Sequence, residues 1–151
     1  MNKTETTQLA QKFANECIAF RVRALNRVIT NLYDAVLKPF GITVNQTTIL
    51  AMLTLVGKAR PGEIGGILHM EKSTVSRNLE RMRKNGWLKI AAGDDGTARL
   101  ISVSAAGRKL LAALSPEWER AQASATCLLG DEGVAAVHIL HEAVGRANRP
   151  A

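Results

Sequence analysis

The sequence predicts a mainly α-helical protein with one small β-hairpin, and three observations predict it. Apolar residues are 46% of the 151-residue chain but aromatics only 4%, so the core is aliphatic, which suits packed helices. Apolar side chains recur at spacings of three and four over most of the length. Only between Trp87 and Val103 does that period give way to two short runs around a Gly- and Asp-rich stretch. A chain of this length is one ordinary domain, long enough to bury a core.

The elements follow in order. From about Thr6 to Lys38 no glycine or proline interrupts a stripe of Leu9, Phe13, Cys17, Phe20, Ala24, Val28, Leu32 and Ala35. One helix is expected there, ended by Pro39 and Gly41 and, at 1.5 Å per residue, roughly 45–50 Å long. A small domain cannot cover such a helix alone, so part of it should pack on a second chain. Thr43 and Gln46 then fit a capping box for a second helix with Ile49, Leu50, Leu53 and Val56 on its apolar face and Gly57 at its end. A short third helix, EIGGILHM, follows Pro61; its Gly65 and Gly66 each cost roughly 1 kcal/mol against alanine and point to close approach of another backbone.

The fourth helix runs from Lys72 to about Asn85 and is stopped by Gly86. Val75, Leu79 and Met82 share one face and want a core. The opposite face carries Ser73, Arg77, Glu80 and Lys84, flanked by Thr74 and Arg81. Strands are expected at Trp87–Ile90 and Arg99–Val103 around AAGDDGTA, and helices from Ala105 to Leu129 and from Asp131 to Asn148, divided by Gly130. Pro116 should kink or restart the first of these, with Ser115 available as a cap.

Charge shows what the fourth helix is for. The net charge is +7, with +3 in residues 1–40, +4 in residues 58–99 and none in residues 100–151. Five of the twenty basic residues lie within Lys72–Asn85. A localised basic surface fits a polyanion, most often nucleic acid. Three helices, a basic helix and then a hairpin make residues 43–103 a winged helix-turn-helix, whose recognition helix precedes the wing. Short hydroxyls at the N-terminal end can approach bases, and longer cations further along can hold phosphates. Residues 6–38 and 105–148 are left as a helical dimerisation region, all within one domain of residues 1–151. No apolar run approaches the ~20 residues of a membrane helix, and MNKTETTQLAQKF lacks the apolar segment of a secretory signal. A cytoplasmic protein is expected, with no membrane partner.

Three stretches, in order, carry a resemblance to the MarR family of bacterial transcriptional regulators. GITVNQTTILAML is close to the family's LTxxQxxxLxxL, EKSTVSRNLERMRKNGWL to its DxSTVTRxxxxLExxGLI, and LISVSAAGRKLL to its hairpin strand with the following LTxxGxxLL helix. The resemblance implies a homodimer with intertwined first and last helices, two winged domains facing a pseudo-palindromic operator on double-stranded DNA, and repression relieved by a small-molecule effector. It places groove reading at Ser73, Thr74, Ser76 and Arg77 and phosphate contact at Arg81, Arg83 and Lys84. The wing departs from the family's Asp-x-Arg: this chain has Asp95-Gly96-Thr97, and the nearby arginine is Arg99. Arg99 either takes over a minor-groove contact or faces solvent beside Asp94 or Asp95.

Other residues of the chain suggest rival chemistries. Cys17 and Cys127 form no metal-like spacing, and the default in a reducing compartment is two buried thiols. Peroxide-sensing relatives carry a reactive cysteine near the position of Cys17, which some resolve with a partner thiol in the region of Cys127. A sensor thiolate needs access and a lowered pKa, and those relatives hold theirs with tyrosines, whereas this chain has one, Tyr33. His138 and His141, three apart and next to Glu142, share a helical face, but no further ligand is apparent nearby, and Val134, Val137, His141 and Val144 read better as a dimer stripe, so no metal is expected. His69 beside the basic helix reads as a packed or phosphate-facing residue. No nucleophile elbow, P-loop or dinucleotide fingerprint is present, so neither catalysis nor a cofactor is expected. The remaining rival is a sequence-indifferent architectural binder.

Overall fold

A computed structural model describes residues 2–92 and 99–147. Among the described residues, seven α-helices, one 3-10 turn and three short strands follow one another; the order is the expected one except that the first helix is divided in two and a short strand precedes the third expected helix. Helix α1 (Lys3–Glu16) starts from a capping box, in which the Asn2 side chain accepts from the Thr4 amide at 3.3 Å and Glu5 accepts from the Asn2 amide at 2.8 Å. It stops at Cys17, whose ψ of 111° is extended, and α2 (Ile18–Leu37) begins beyond it. The expected single helix over residues 6–38 is therefore two. No glycine or proline marks the break; Arg21 stabilises it by donating from its guanidinium to the Asn15 carbonyl, which a continuous helix would have paired with an amide four residues on.

A single turn of 3-10 helix, Lys38–Phe40, leads to Gly41 in the left-handed region and to α3 (Val44–Val56). The capping box of Thr43 and Gln46 is present as expected. Asp34 of α2 adds a second clasp, its carboxylate accepting from the Val44 amide at 2.6 Å. Ile49, Leu50 and Leu53 are fully buried. Val56 is not: it is half-exposed, because the chain leaves the helix at Gly57, and Met52 takes the buried place one turn earlier.

Strand β1 (Lys58–Ala59) is an element the hydrophobic pattern did not announce, being only two residues long. It pairs antiparallel with β3 (Arg99–Val103), which pairs antiparallel with β2 (Leu88–Ala92), giving the order β1-β3-β2. The expected hairpin is thus two strands of a three-stranded sheet, and Trp87 precedes β2 instead of opening it. Between β1 and β2 lie α4 (Pro61–Leu68) and α5 (Lys72–Lys84). The core gathers Leu37, Ile42, Ile49, Leu50, Leu53, Ile64, Val75, Met82, Ile101 and Leu114 around α3.

Ser104 opens α6 (Ala105–Ala113), its hydroxyl accepting from the Gly107 amide at 3.0 Å. Helix α7 (Ser115–Ala147) restarts beside Pro116 and is broken at Gly130, where φ is 66° and ψ is 172°, the division expected there. Ala121 and Ala125 are buried, and small side chains let α7 lie close to α2. Across that contact Tyr33 donates its hydroxyl to the Gln122 side-chain oxygen, and burial raises the tyrosine pKa.

Candidate nucleic-acid interface

The candidate recognition element is α5, and its sequence explains its seating. Val75, Leu79 and Met82 are all buried, as their shared face requires. The preceding turn is tight: His69 adopts φ 52°, donates its amide to the Gly66 carbonyl, and lets the Met70 amide reach the Gly65 carbonyl at 2.9 Å. A Cβ on Gly65 would stand 3.1 Å from the Met70 carbonyl oxygen, so this glycine does admit a close backbone. Gly66 does not; a Cβ there meets nothing within 4 Å.

The far end of α5 closes with two bonds around left-handed Gly86: the Gly86 amide to the Arg83 carbonyl at 2.9 Å and the Trp87 amide to the Met82 carbonyl at 3.0 Å. The same corner is locked to α6. Ser104 donates its hydroxyl to the Gly86 carbonyl at 2.6 Å and its amide to the Trp87 carbonyl at 2.9 Å. Gly107 then passes so close that a Cβ would lie 2.8 Å from Val103 Cγ1, and nearer still to the Trp87 carbonyl oxygen. This is the physical reason for a glycine in the LTxxGxxLL-like stretch, a role that the bare sequence did not disclose.

On the outward face Ser73, Ser76, Arg77, Glu80, Arg81, Arg83 and Lys84 are exposed, whereas Thr74 is half-buried and its carbonyl accepts from the Asn78 side chain. Arg77 folds back onto Ser73, donating Nε–H to the Ser73 carbonyl at 3.1 Å and an Nη2 hydrogen to Ser73 Oγ at 3.2 Å. Glu80 takes Arg83 in a two-point pair at 3.0 and 2.9 Å and has Lys84 Nζ at 3.7 Å. The bond from Arg83 is the main reason that the Glu80 carboxyl lies below its ordinary range. Among the described residues Arg81 forms no ion pair. Glu71 precedes the helix without a side-chain cap among the described residues, so the first amides of α5 point outward unsatisfied by side chains.

A cleft of about 670 Å³ runs along this helix, between the N-terminal half of α4 and the sheet. Ser76 and Glu80 line it from α5, and Arg99 and Ile90 from the strands. Arg99 is exposed and stands opposite Ala92, on the sheet face that turns toward α5. The stretch Asp95-Gly96-Thr97, on which the sequence departs from the family's wing, lies outside the described residues, as does Asp94.

The cysteines are not the buried pair expected. Cys17 is half-buried at the α1–α2 break and Cys127 is exposed on α7; both are free thiols. Each sits on a surface that one chain leaves uncovered. Tyr33 is committed to Gln122. Among the described residues no three His, Cys, Asp or Glu side chains cluster as metal ligands, and no single helix is long and apolar enough to cross a membrane.

The sequence model of the MarR family matches residues 40–99, from the end of the 3-10 turn to the first residue of β3. An uncharacterized HTH-type transcriptional regulator, YwoH of Bacillus subtilis, is 27% identical over 97 residues, 64% of this chain and 71% of its own length. The crystal structure of the Mycobacterium tuberculosis transcriptional regulator MosR in complex with DNA is 30% identical, covering 89% of this chain and 100% of that one with a TM-score of 0.74. A mutant MarR from E. coli complexed with operator DNA shares the fold at 18% identity, with a TM-score of 0.77 over 88% of this chain and 96% of that one. With a winged helix-turn-helix built on these residues and relatives of this kind along nearly its whole length, the chain belongs to the MarR family of DNA-binding transcriptional regulators.

Proposed function

We propose that the protein is a repressor that binds a pseudo-palindromic operator as a homodimer, with α5 of each protomer in a major groove, and that a small-molecule effector releases it. One observation carries the DNA reading: α5 buries Val75, Leu79 and Met82 while presenting Ser73, Arg77, Arg81 and Lys84 on its open face. That is a helix held by a core and offered to a polyanion. Arg77 is the base reader of this set, one turn into the helix, with a planar fork suited to guanine O6 and N7. Arg81, Arg83 and Lys84, further along, hold backbone phosphate, and Arg99 adds a cation at the root of the wing. Thr74, half-buried, and Ser76, beside the cleft, flank the reader.

The dimer reading rests on uncovered apolar surface. Helix α1 has no buried residue, and Phe13 is 60%, Ile18 78%, Phe20 58%, Ile139 64% and Leu140 60% exposed in the single chain. Soluble monomers rarely leave so much contiguous apolar area in water. These residues lie in the two regions, 6–38 and 105–148, that flank the winged segment 43–103. A cavity of about 360 Å³ between α3 and the start of α7, lined by Thr47, Ala51, Leu111, Leu114 and Trp118, offers the effector a place between the two regions. An effector there would bias the angle between them.

Selection of bound duplexes from a random library at physiological salt tests the reading. A short two-fold-related consensus with half-sites about ten base pairs apart is expected. A shallow dependence of affinity on sequence would favour an architectural binder instead. Light scattering should return about twice the 16.3 kDa chain mass, and a stable folded monomer would remove the basis of the two-fold operator.

A further inference from the structure

Ser73 and Arg77 lie one turn apart on the open face of α5, and the bonds between them divide the guanidinium unequally. An arginine offers five N–H donors in a rigid plane. Its side edge, Nε–H with one hydrogen of Nη2, is taken up by the carbonyl and hydroxyl oxygens of Ser73, at 3.1 and 3.2 Å. The end edge, one hydrogen each from Nη1 and Nη2, is left parallel and has no partner among the described residues. Two parallel donors are what guanine O6 and N7 require. A planar group fixed along one edge has its plane fixed as well, so the orientation of the free edge is set before DNA arrives. A serine hydroxyl, by contrast, can donate or accept at any base pair and discriminates poorly by itself.

We propose that Ser73 is a positioning residue for base reading: it holds the plane of Arg77 so that the end edge meets a guanine, and it does not itself read a base. The proposal rests on the reading of Arg77 as the groove contact. It moves Ser73 from the readers to their support, and it assigns the specificity of this end of the helix to one side chain held by another.

A double-mutant cycle on the selected operator, on the same duplex with the recognised guanine pair replaced, and on scrambled DNA tests it. Ser73→Ala should weaken operator binding about 3–10-fold per half-site, the ordinary net worth of one solvent-exposed hydrogen bond. Its loss of preference should fall at the same base pair that Arg77→Ala relaxes. In the Arg77→Ala background, Ser73→Ala should change nothing further, and Ser73→Thr, which keeps the hydroxyl, should bind as the parent does. Unchanged circular dichroism and melting temperature would exclude a folding cause. A Ser73→Ala loss of the same size with Arg77 already absent would overturn the proposal, since Ser73 would then touch DNA directly. So would parent-like operator binding by Ser73→Ala. Equal loss of operator and scrambled affinity in Arg77→Ala alone would overturn the base-reading assignment itself, and it is seen before any Ser73 variant is measured.

Discussion

Glu80 is the acidic residue on the open face of the recognition helix, and neutralising it should strengthen DNA binding. Its carboxylate holds Arg83 at two points and has Lys84 within 3.7 Å, so two of the cations assigned to phosphate are committed to an intrahelical pair before DNA approaches. The Glu80→Gln substitution keeps the shape and removes the charge. Arg83, no longer shared with Glu80, then gives its full charge to the phosphate it faces, at most one further phosphate contact per half-site. Each such contact changes the slope of log affinity against log salt by about −0.9, which at 0.15 M salt corresponds to roughly fivefold in affinity per half-site and roughly thirtyfold for a dimer. The assay is a set of binding isotherms on operator and scrambled DNA between about 50 and 200 mM salt, where the phosphate contribution is largest. Both duplexes should tighten and both slopes should steepen by one to two units. Unchanged slope and affinity would show that the pair with Glu80 does not restrain Arg83, and the argument would fail. A loss confined to the operator would show that Glu80 accepts from a base, as a carboxylate does from cytosine N4, and the restraint argument would fail.

The remaining predictions concern the same corner of the molecule and the two thiols. Arg77→Ala should cost roughly 1–3 kcal/mol per half-site and relax the preference at one base pair, whereas Lys84→Ala should weaken all sequences alike and lower the salt slope by less than one unit per half-site, because Glu80 already shares that lysine. Competition isotherms on operator and scrambled DNA separate the two. Gly107→Ala should destabilise by about 1–3 kcal/mol or more, since its methyl would press on the backbone of Trp87 and on Val103; thermal unfolding should show a drop of several degrees, and an unchanged melting temperature would refute the close approach. Cys17→Ser and Cys127→Ser proteins should bind operator as the parent does with or without an organic hydroperoxide, and release of the parent alone would establish a thiol switch.

What the sequence made legible was what a local pattern can encode. The capping box of Thr43 and Gln46, the left-handed stops at Gly57, Gly86 and Gly130, and the buried face of α5 each depend on residues within a turn or two, and each was readable. The break at Cys17 was not, because nothing in ANECIAF forbids a helix; it is stabilised by Arg21 reaching back to Asn15, a side-chain bond that no periodicity reports. Strand β1 was missed because two residues have no period, and its existence depends on β3, which lies about forty residues later. The thiols were misplaced because burial inferred from an apolar neighbourhood says nothing about whether the covering surface belongs to the same chain.

The same distinction separates what α5 is from how it is used. Its basic cluster is a property of composition, readable as a count of charges, yet the fold sorts those charges into unequal roles. Arg77 is oriented by Ser73 with a free edge, Arg83 and Lys84 are restrained by Glu80, and Arg81 is left without an ion pair among the described residues. The helix that carries them is fixed at its C-terminal end by Ser104 and Gly107 of the α6 junction, and α3 beneath it is clasped to α2 by Asp34. A change in the angle between α2 and α6 therefore has two short, directional routes to the recognition helix, neither of which passes through a flexible linker. Control of binding from the helical region requires only a shift of those anchors, because a bidentate contact to guanine tolerates little misplacement while phosphate contacts tolerate more. An effector acting through them should reduce operator affinity more than affinity for scrambled DNA.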